Sequence, residues 1–199
     1  LGVRAAKGAT TTIPIVIASS SDPVALGLVA SLARPGGNVT GSTGLNNELY
    51  GKRLEMLRDA FPRARQVAFL FNPDNLNAAV GPLLPAMKAA AKSLKRELQQ
   101  FSVRGPGEFE SAFAAMAKKR VDAVLVHDDA VFLANLAAIA KLAAKMRLPS
   151  IGQSEFAEAG GLMSYGTDRR ESWRRAAAYV DKIFKGAKPG DLPIEQPTK

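Results

Sequence analysis

Short apolar runs alternate with longer amphipathic stretches from one end of the chain to the other. The apolar runs are far shorter than the roughly 20 residues that a membrane-spanning helix needs. Runs such as "IPIVIA" at 13–18 and "VAFLF" at 67–71 are apolar throughout, which is typical of strands buried on both faces of a parallel sheet. The predicted strands are 13–18, 66–71, 97–103, 121–126, 150–152 and 161–164.

The amphipathic stretches between these runs predict helices that pack one face on the sheet. The expected helices are 23–33, 48–60, 78–96, 107–119, 130–146 and 170–185. The residues before the first strand resemble the tail of a further helix. This alternation predicts an α/β fold in which helices cover both faces of a parallel sheet.

Two stretches rich in small and polar residues predict boundaries, at 34–47 and 164–170. The first is interpreted as a connection between lobes rather than as core. The predicted domains are 1–45, the remaining part of a first lobe, 46–163, a second α/β lobe, and 164–199, a crossover and helix that return to the first lobe. The proline-rich tail after residue 185 is expected to be extended and to track the surface.

The composition of the chain excludes several classes of chemistry. The chain has no cysteine and one histidine, which excludes disulfides, thiolate nucleophiles and multi-histidine metal sites. The net charge of +9 raises the question of nucleic acid, but the basic residues are dispersed and few aromatics lie between them. Solvated helix faces explain them better, so no nucleic-acid partner is predicted.

No catalytic motif is present. The sequence has no nucleophile elbow, no phosphate-binding loop and no dinucleotide fingerprint. His127 precedes Asp128, but sequence neighbours at a strand end point to opposite sides, so no Ser-His-Asp relay is implied. The chain is predicted not to be an enzyme and to need no cofactor or metal.

Polar residues gather where the predicted strands end. In open parallel sheets, ligands bind beyond the carboxyl ends of the strands. A simpler role exists for several of these residues: Asp22 or Ser21 before Pro23 is a ready helix N-cap, and Asn72 begins a turn. Asp128 and Asp129 are also able to cap, but two carboxylates exceed what one helix needs, which leaves one for a ligand ammonium.

The order of motifs resembles a known family. The blocks "DPVALGLVASLARPGGNVTG" and "FAEAGGLMSYGTD", with the segments between and after them, are similar to bacterial ABC-transporter substrate-binding proteins of the tryptophan/tyrosine or branched-chain-like uptake type. The resemblance covers essentially the whole chain. It implies a type I periplasmic-binding-protein fold of two Rossmann-like lobes that close on a small solute. Because such proteins extend beyond both ends of this sequence, a fragment without the signal segment and the first part of the first lobe is expected.

The resemblance also implies a binding site. Ser20, Ser21 and Asp22 match the first-lobe loop that contacts the charged groups of the ligand. The positions that match cleft-facing loops of the second lobe are Asn72, Asp128, Gln153 and Tyr165. Where many relatives have a small residue followed by Asp-Pro after the fourth predicted strand, this chain has "HDDA", which leaves His127 without an assigned role.

The implied function is that of the extracytoplasmic solute-binding component of an ABC importer. The expected ligand is a small zwitterion, an amino acid with the aromatic ones among the candidates, which a membrane permease receives. The intact protein is expected to be a monomer, either periplasmic or anchored to the membrane. The alternative is the ligand-sensing domain of a transcriptional regulator with the same fold, which would be dimeric and carry a DNA-binding segment upstream.

Overall fold

The computed structural model describes residues 2–18, 22–43, 46–75 and 83–196, without the side chains of residues 46 and 47. The chain forms two compact units, Leu1–Asn46 with Thr167–Lys199 and Asn47–Gly166. The assignment of the predicted lobes to 1–45, 46–163 and 164–199 stays a prediction. Among the described helices, none combines the length and the apolar character that a bilayer crossing requires.

The described strands and helices are numbered in chain order. The strands are β1 Ile15–Ile17, β2 Val39–Gly41, β3 Gln66–Phe71, β4 Glu97–Ser102, β5 Ala123–Val126, β6 Ser150–Gly152 and β7 Met163–Ser164. The helices are α1 Gly2–Ala9, α2 Asn46–Ala60, α3 Leu83–Ser93, α4 Phe109–Lys118, α5 Ala130–Leu133, α6 Leu136–Lys145 and α7 Arg169–Phe184. Short 3₁₀ turns occupy Pro106–Glu108, Ser154–Phe156 and Pro189–Asp191.

The larger unit, Asn47–Gly166, is a five-stranded parallel sheet between two helical layers. The strand order is β4-β3-β5-β6-β7, and every neighbouring pair is parallel. Alternate residues of β3 point to opposite faces, so Val67 and Phe69 pack under α2 and α3 while Ala68 and Leu70 pack under α4, α5 and α6. This arrangement confirms the predicted α/β fold with helices on both faces of the sheet.

The smaller unit has a two-stranded parallel sheet, β1-β2, on which α7 packs. Its core joins distant parts of the sequence, because Ile17, Val39 and Ile194 are buried together. The Ile194 amide donates to the Leu32 carbonyl, and Glu195 bridges to Ser42. The prediction of a surface-tracking tail is therefore wrong around Ile194, where an apolar side chain draws the segment into the core.

Strand β2 corrects a second prediction. Val39–Gly41 lies inside the stretch 34–47 that was expected to be a connection, yet all three of its residues are buried. Val39 and Thr40 are β-branched, and the Thr40 hydroxyl donates to the Leu192 carbonyl. Because glycines and an asparagine surround this strand, the sequence pattern did not indicate that its three residues belong to the core.

The helix predicted over 23–33 does not form. Asp22 caps a single turn, in which the Leu26 amide donates to the Asp22 carbonyl, and Gly27 then adopts a φ of +65°. A left-handed residue ends a helical turn, so the chain continues in turns and bends through residue 33.

The helix predicted over 130–146 is divided into α5 and α6. The break falls at Ala134 and Asn135, where the Asn135 side-chain amide donates to the Val131 carbonyl. Side-chain hydrogen bonds of this kind compete with the helical ladder. The other predicted helices and strands form with small changes at their ends, although the beginning of the helix expected over 78–96 lies outside the described residues.

Candidate functional site

The carboxyl ends of β3, β5, β6 and β7 lie along one edge of the larger unit because these strands are parallel. The strand order is that of a doubly wound sheet. After β3, the chain adds β4 on one side and then β5, β6 and β7 on the other, so the order of the strands reverses between β3 and β5. Ligands of such folds bind outside the carboxyl ends at this reversal. Asn72 follows β3, and His127–Asp129 follow β5. Predicted site residues therefore lie at the point where ligands of such folds bind.

Arg53 is a site residue that the sequence interpretation missed. It lies on the buried face of α2 with Tyr50, Leu54 and Leu57, and its side chain has no exposed surface. Its guanidinium donates to both carboxylate oxygens of Asp128, at 2.6 and 3.0 Å. Its Nε donates to the Tyr165 carbonyl at 2.7 Å. Burial lowers the pKa of Arg53, but the Asp128 carboxylate outweighs it, so the pKa is raised and the side chain stays charged.

Tyr50 contacts both members of the Arg53–Asp128 ion pair. Its ring centroid lies 4.7 Å from the guanidinium carbon of Arg53, and its hydroxyl accepts the Asp128 amide at 2.7 Å. Burial raises the pKa of Tyr50 well above its ordinary value, which keeps the phenol neutral. Asp128 is thus fixed through its backbone by Tyr50 and through its carboxylate by Arg53, while its side chain keeps 25% of its surface exposed.

His127 is a packed, neutral aromatic side chain. It stacks on Tyr50 with ring centroids 5.7 Å apart and meets the edge of Phe69 at 5.6 Å. Burial lowers its pKa to about 4, so the imidazole is uncharged at neutral pH. Its buried Nδ1 has no hydrogen-bond partner among the described residues. These contacts support a structural role and add no charge to the loop.

Asp129 differs from Asp128 in its partners. Its carboxylate caps α5 by accepting the Val131 amide at 2.9 Å, and it also accepts the side-chain amides of Asn72 at 3.2 Å and Asn75 at 2.9 Å. All three donors are neutral, and within the described part of the chain no cation pairs with Asp129. The loop after β5 therefore presents one compensated and one uncompensated carboxylate.

Gln153 and Tyr165 complete the edge of the larger unit. Gln153 follows β6 and is only 6% exposed, yet its side-chain Nε2 has no partner among the described residues. Tyr165 follows β7 and is 39% exposed, while its backbone is held by Gly152 and Arg53. The structure thus presents a buried amide donor and a half-exposed aromatic residue at the same edge of the sheet as the carboxylates.

Two aromatic residues near the carboxyl ends of the strands are core residues. Phe71 and Phe132 are buried in the two layers of the larger unit. Trp173 on α7 is 63% exposed. Among the described side chains, no group of three or more acidic or histidine residues is arranged to hold a metal ion.

The predicted first-lobe residues are described only in part. Ser20 and Ser21 lie outside the described residues. The carboxylate of Asp22 accepts the amides of Val24 and Ala25 at 3.0 Å, which confirms its capping role within the smaller unit. Its contact with a ligand stays a prediction.

The chain matches a family of binding proteins over nearly its whole length. The family model described as ABC transporter substrate binding protein matches residues 3–199. A curated relative, the tyrosine-binding protein of Clostridioides difficile strain R20291, is 27% identical over 192 residues. That alignment covers 96% of this chain and 54% of the relative, so the chain spans about half of the relative's length.

Solved structures of similar proteins agree with this match. An ABC domain in complex with L-Trp from Streptococcus pneumonia is 25% identical, with a TM-score of 0.89, and the likeness covers 99% of this chain and 65% of that structure. A conserved domain protein from Vibrio cholerae is 27% identical, also with a TM-score of 0.89, over 98% of this chain and 65% of that structure. These likenesses confirm the type I periplasmic-binding-protein fold.

Proposed function

The chain belongs to the family of ABC transporter substrate-binding proteins, and we propose that it binds an amino acid and delivers it to an ABC permease. The members of this family bind solutes and are not enzymes. Membership favours the predicted solute receptor over the sensor domain of a regulator.

The observation that carries the proposal is a pair of groups at one edge of the sheet which, in the described part of the chain, are a carboxylate without a counter-cation and an amide donor without an acceptor. Asp129 has a carboxylate without a counter-cation, and Gln153 has a buried amide donor without an acceptor, within the described residues. They follow β5 and β6, which are neighbouring strands. An ammonium group would compensate the first, and a carboxylate would accept from the second, so a zwitterion satisfies both.

Two further points favour an aromatic amino acid. Tyr165 offers a half-exposed ring at the same edge, and aromatic rings prefer stacked or edge-to-face contact with other rings. The similar proteins with a stated ligand are a tyrosine-binding protein and a domain in complex with L-Trp. The proposed site comprises Ser20, Ser21, Asp22, Asn72, Asp128, Gln153 and Tyr165, to which we add Asp129.

The wider role follows from the family. ABC substrate-binding proteins work outside the cytoplasm, so the protein is proposed to be periplasmic or anchored on the outer side of the membrane. Its proposed partners are the solute and the permease, with the receptor as a monomer. Ligand binding would favour one conformation of the receptor, which the permease then recognises.

Titration calorimetry of the full-length protein against the twenty amino acids tests this function. We expect saturable heat from tyrosine or tryptophan and none from a sugar such as ribose. The absence of heat from every amino acid would overturn the proposal.

A further inference from the structure

The formal charge of the loop after β5 depends on a residue from another element. Asp128 and Asp129 contribute −2, His127 is neutral, and Arg53 on α2 contributes +1, so the sum is −1. Without Arg53 the same loop would carry −2. Arg53 has no exposed surface, so its charge acts on this loop with little screening by solvent.

From this balance we propose that Arg53 is a specificity-determining residue, which keeps the site suited to amino acids with one ammonium group and disfavours dibasic ones. The inference rests on the proposed function and deepens it, because it names the charge class of the solute. Arg53 is assigned no contact with the ligand and acts through Asp128.

The geometry explains why an arginine occupies this position. One planar group satisfies both oxygens of Asp128 and the Tyr165 carbonyl, with three different nitrogens. A lysine has a single nitrogen and would not match this fork. The arginine is further held over the Tyr50 ring, whose hydroxyl binds the Asp128 backbone. The compensating charge is therefore fixed in place rather than shared with solvent.

The expected consequence concerns the ratio of two affinities. The two ligands share an α-ammonium and an α-carboxylate, whose interactions with one more negative charge in the loop cancel in the ratio, whereas only the dibasic solute has a second ammonium that gains a further charge-charge attraction. At the effective dielectric of a partly buried site, that attraction amounts to roughly a tenfold change in affinity or more.

The test compares L-tyrosine with 4-aminomethyl-L-phenylalanine, which carries a second ammonium on a similar ring. Their dissociation constants are measured by calorimetry for the full-length wild type, Arg53→Met, Asp128→Asn and the double variant. We expect the wild type to prefer tyrosine and Arg53→Met to shift the ratio roughly tenfold toward the dibasic ligand. Asp128→Asn should shift the ratio the other way, because it removes one negative charge.

The double variant separates charge from packing. Removing Arg53 and the Asp128 charge together restores a loop charge of −1, so the ratio should return near the wild-type value even if both affinities fall. Arg58→Met on the same helix is the matched control, since Arg58 is exposed and pairs with Asp59, and it should leave the ratio unchanged. Circular dichroism and thermal unfolding establish that each variant is folded.

Each outcome decides the inference. An unchanged ratio in Arg53→Met, or a double variant that keeps a shifted ratio, would overturn it while leaving the proposed function intact. If Arg53→Met does not fold, Asp128→Asn decides, and an unchanged ratio there contradicts the inference. If the wild type binds neither these ligands nor any other amino acid, the proposed function fails first and the inference fails with it.

Discussion

At the residue scale, two neighbouring aspartates acquire different roles from the side chains that reach them. Asp128 receives a charged donor, Arg53, on both oxygens, whereas Asp129 receives only amide donors. A carboxylate held by neutral donors keeps its negative charge available to a ligand. This difference makes Asp129 the better candidate for an ammonium group, with Asp128 beside it.

Asp129→Asn tests that assignment. Asparagine is as good an N-cap as aspartate, so α5 should keep its start and the fold should be retained. The loss of one charge-assisted contact should weaken amino-acid binding by at least about tenfold, measured by calorimetry. Asp59→Asn removes the same charge from an exposed site on α2 and serves as the control. Equal affinities of wild type and Asp129→Asn would remove Asp129 from the site.

His127 gives a pH-dependent prediction. Burial lowers its pKa from 6.5 to about 4, so between these values the unfolded chain binds a proton that the folded chain does not. Stability should therefore fall as the pH falls from 6.5 to 4, by up to roughly 3 kcal/mol from this residue alone.

His127→Phe keeps a ring against Tyr50 and removes the titration. Urea unfolding at pH 7 and pH 4.5 should show a smaller loss of stability for this variant than for the wild type. Carboxylates also titrate in this range, so the measured quantity is the difference between the two proteins. The same loss in both would mean that His127 is not buried as a neutral group.

Residue identity in the sequence was enough for some of these roles and not for others. The sequence does carry one signal for Arg53, because the spacing of Tyr50, Arg53, Leu54 and Leu57 places a charge on the apolar face of a helix. The pair Asp128 and Asp129 predicts that one carboxylate exceeds the capping need. Which of the two is compensated depends on Arg53, which lies far away in the sequence, so no local pattern reveals it.

At the element scale, β2 depends on a glycine. Gly41 has a φ of +129°, and a Cβ there would lie 2.6 Å from the Ile17 nitrogen and against its carbonyl. Gly41 of β2 pairs with Ile17 of β1, so any side chain at position 41 would push the two strands apart.

Gly41→Ala should therefore destabilise the protein by at least about 2 kcal/mol, measured by urea unfolding. Gly51→Ala is the matched control, because Gly51 lies inside α2 with open space around its Cα. That substitution should stabilise the protein by about 0.5–1 kcal/mol. A neutral effect of Gly41→Ala would contradict the described pairing of β1 with β2.

Most elements could be predicted from the apolar pattern, whereas backbone conformations that depend on glycine could not. Strand β3 forms over the predicted residues because its continuous apolar run is buried on both faces of a parallel sheet, and β6 forms over the predicted residues 150–152. The turns after Asp22 replace a helix that the apolar pattern of 23–33 predicted, and the strand β2 was not predicted at all. There, Gly27 and Gly41 adopt left-handed conformations that a periodic pattern does not encode.

At the scale of the whole molecule, each compact unit has its own core, and Asp128, Asp129 and Gln153 belong to the larger one. The parallel α/β fold and the family were predictable because the motifs extend along the whole chain. The solute was not, since its class depends on the balance between Arg53, Asp128 and Asp129, which only the fold brings together. The chain spans 54% of the curated relative and 65% of two similar structures, so the intact protein is the proper subject of binding experiments.

A crystal structure of the full-length protein with the amino acid that gives the largest heat tests the central claim most directly. We expect the ligand beyond the carboxyl ends of β3, β5 and β6, with its ammonium within hydrogen-bond distance of the Asp129 carboxylate and its carboxylate accepting from the Gln153 side-chain amide. Arg53 should remain paired with Asp128. A ligand bound away from this edge, or one whose ammonium contacts neither aspartate, would contradict the account.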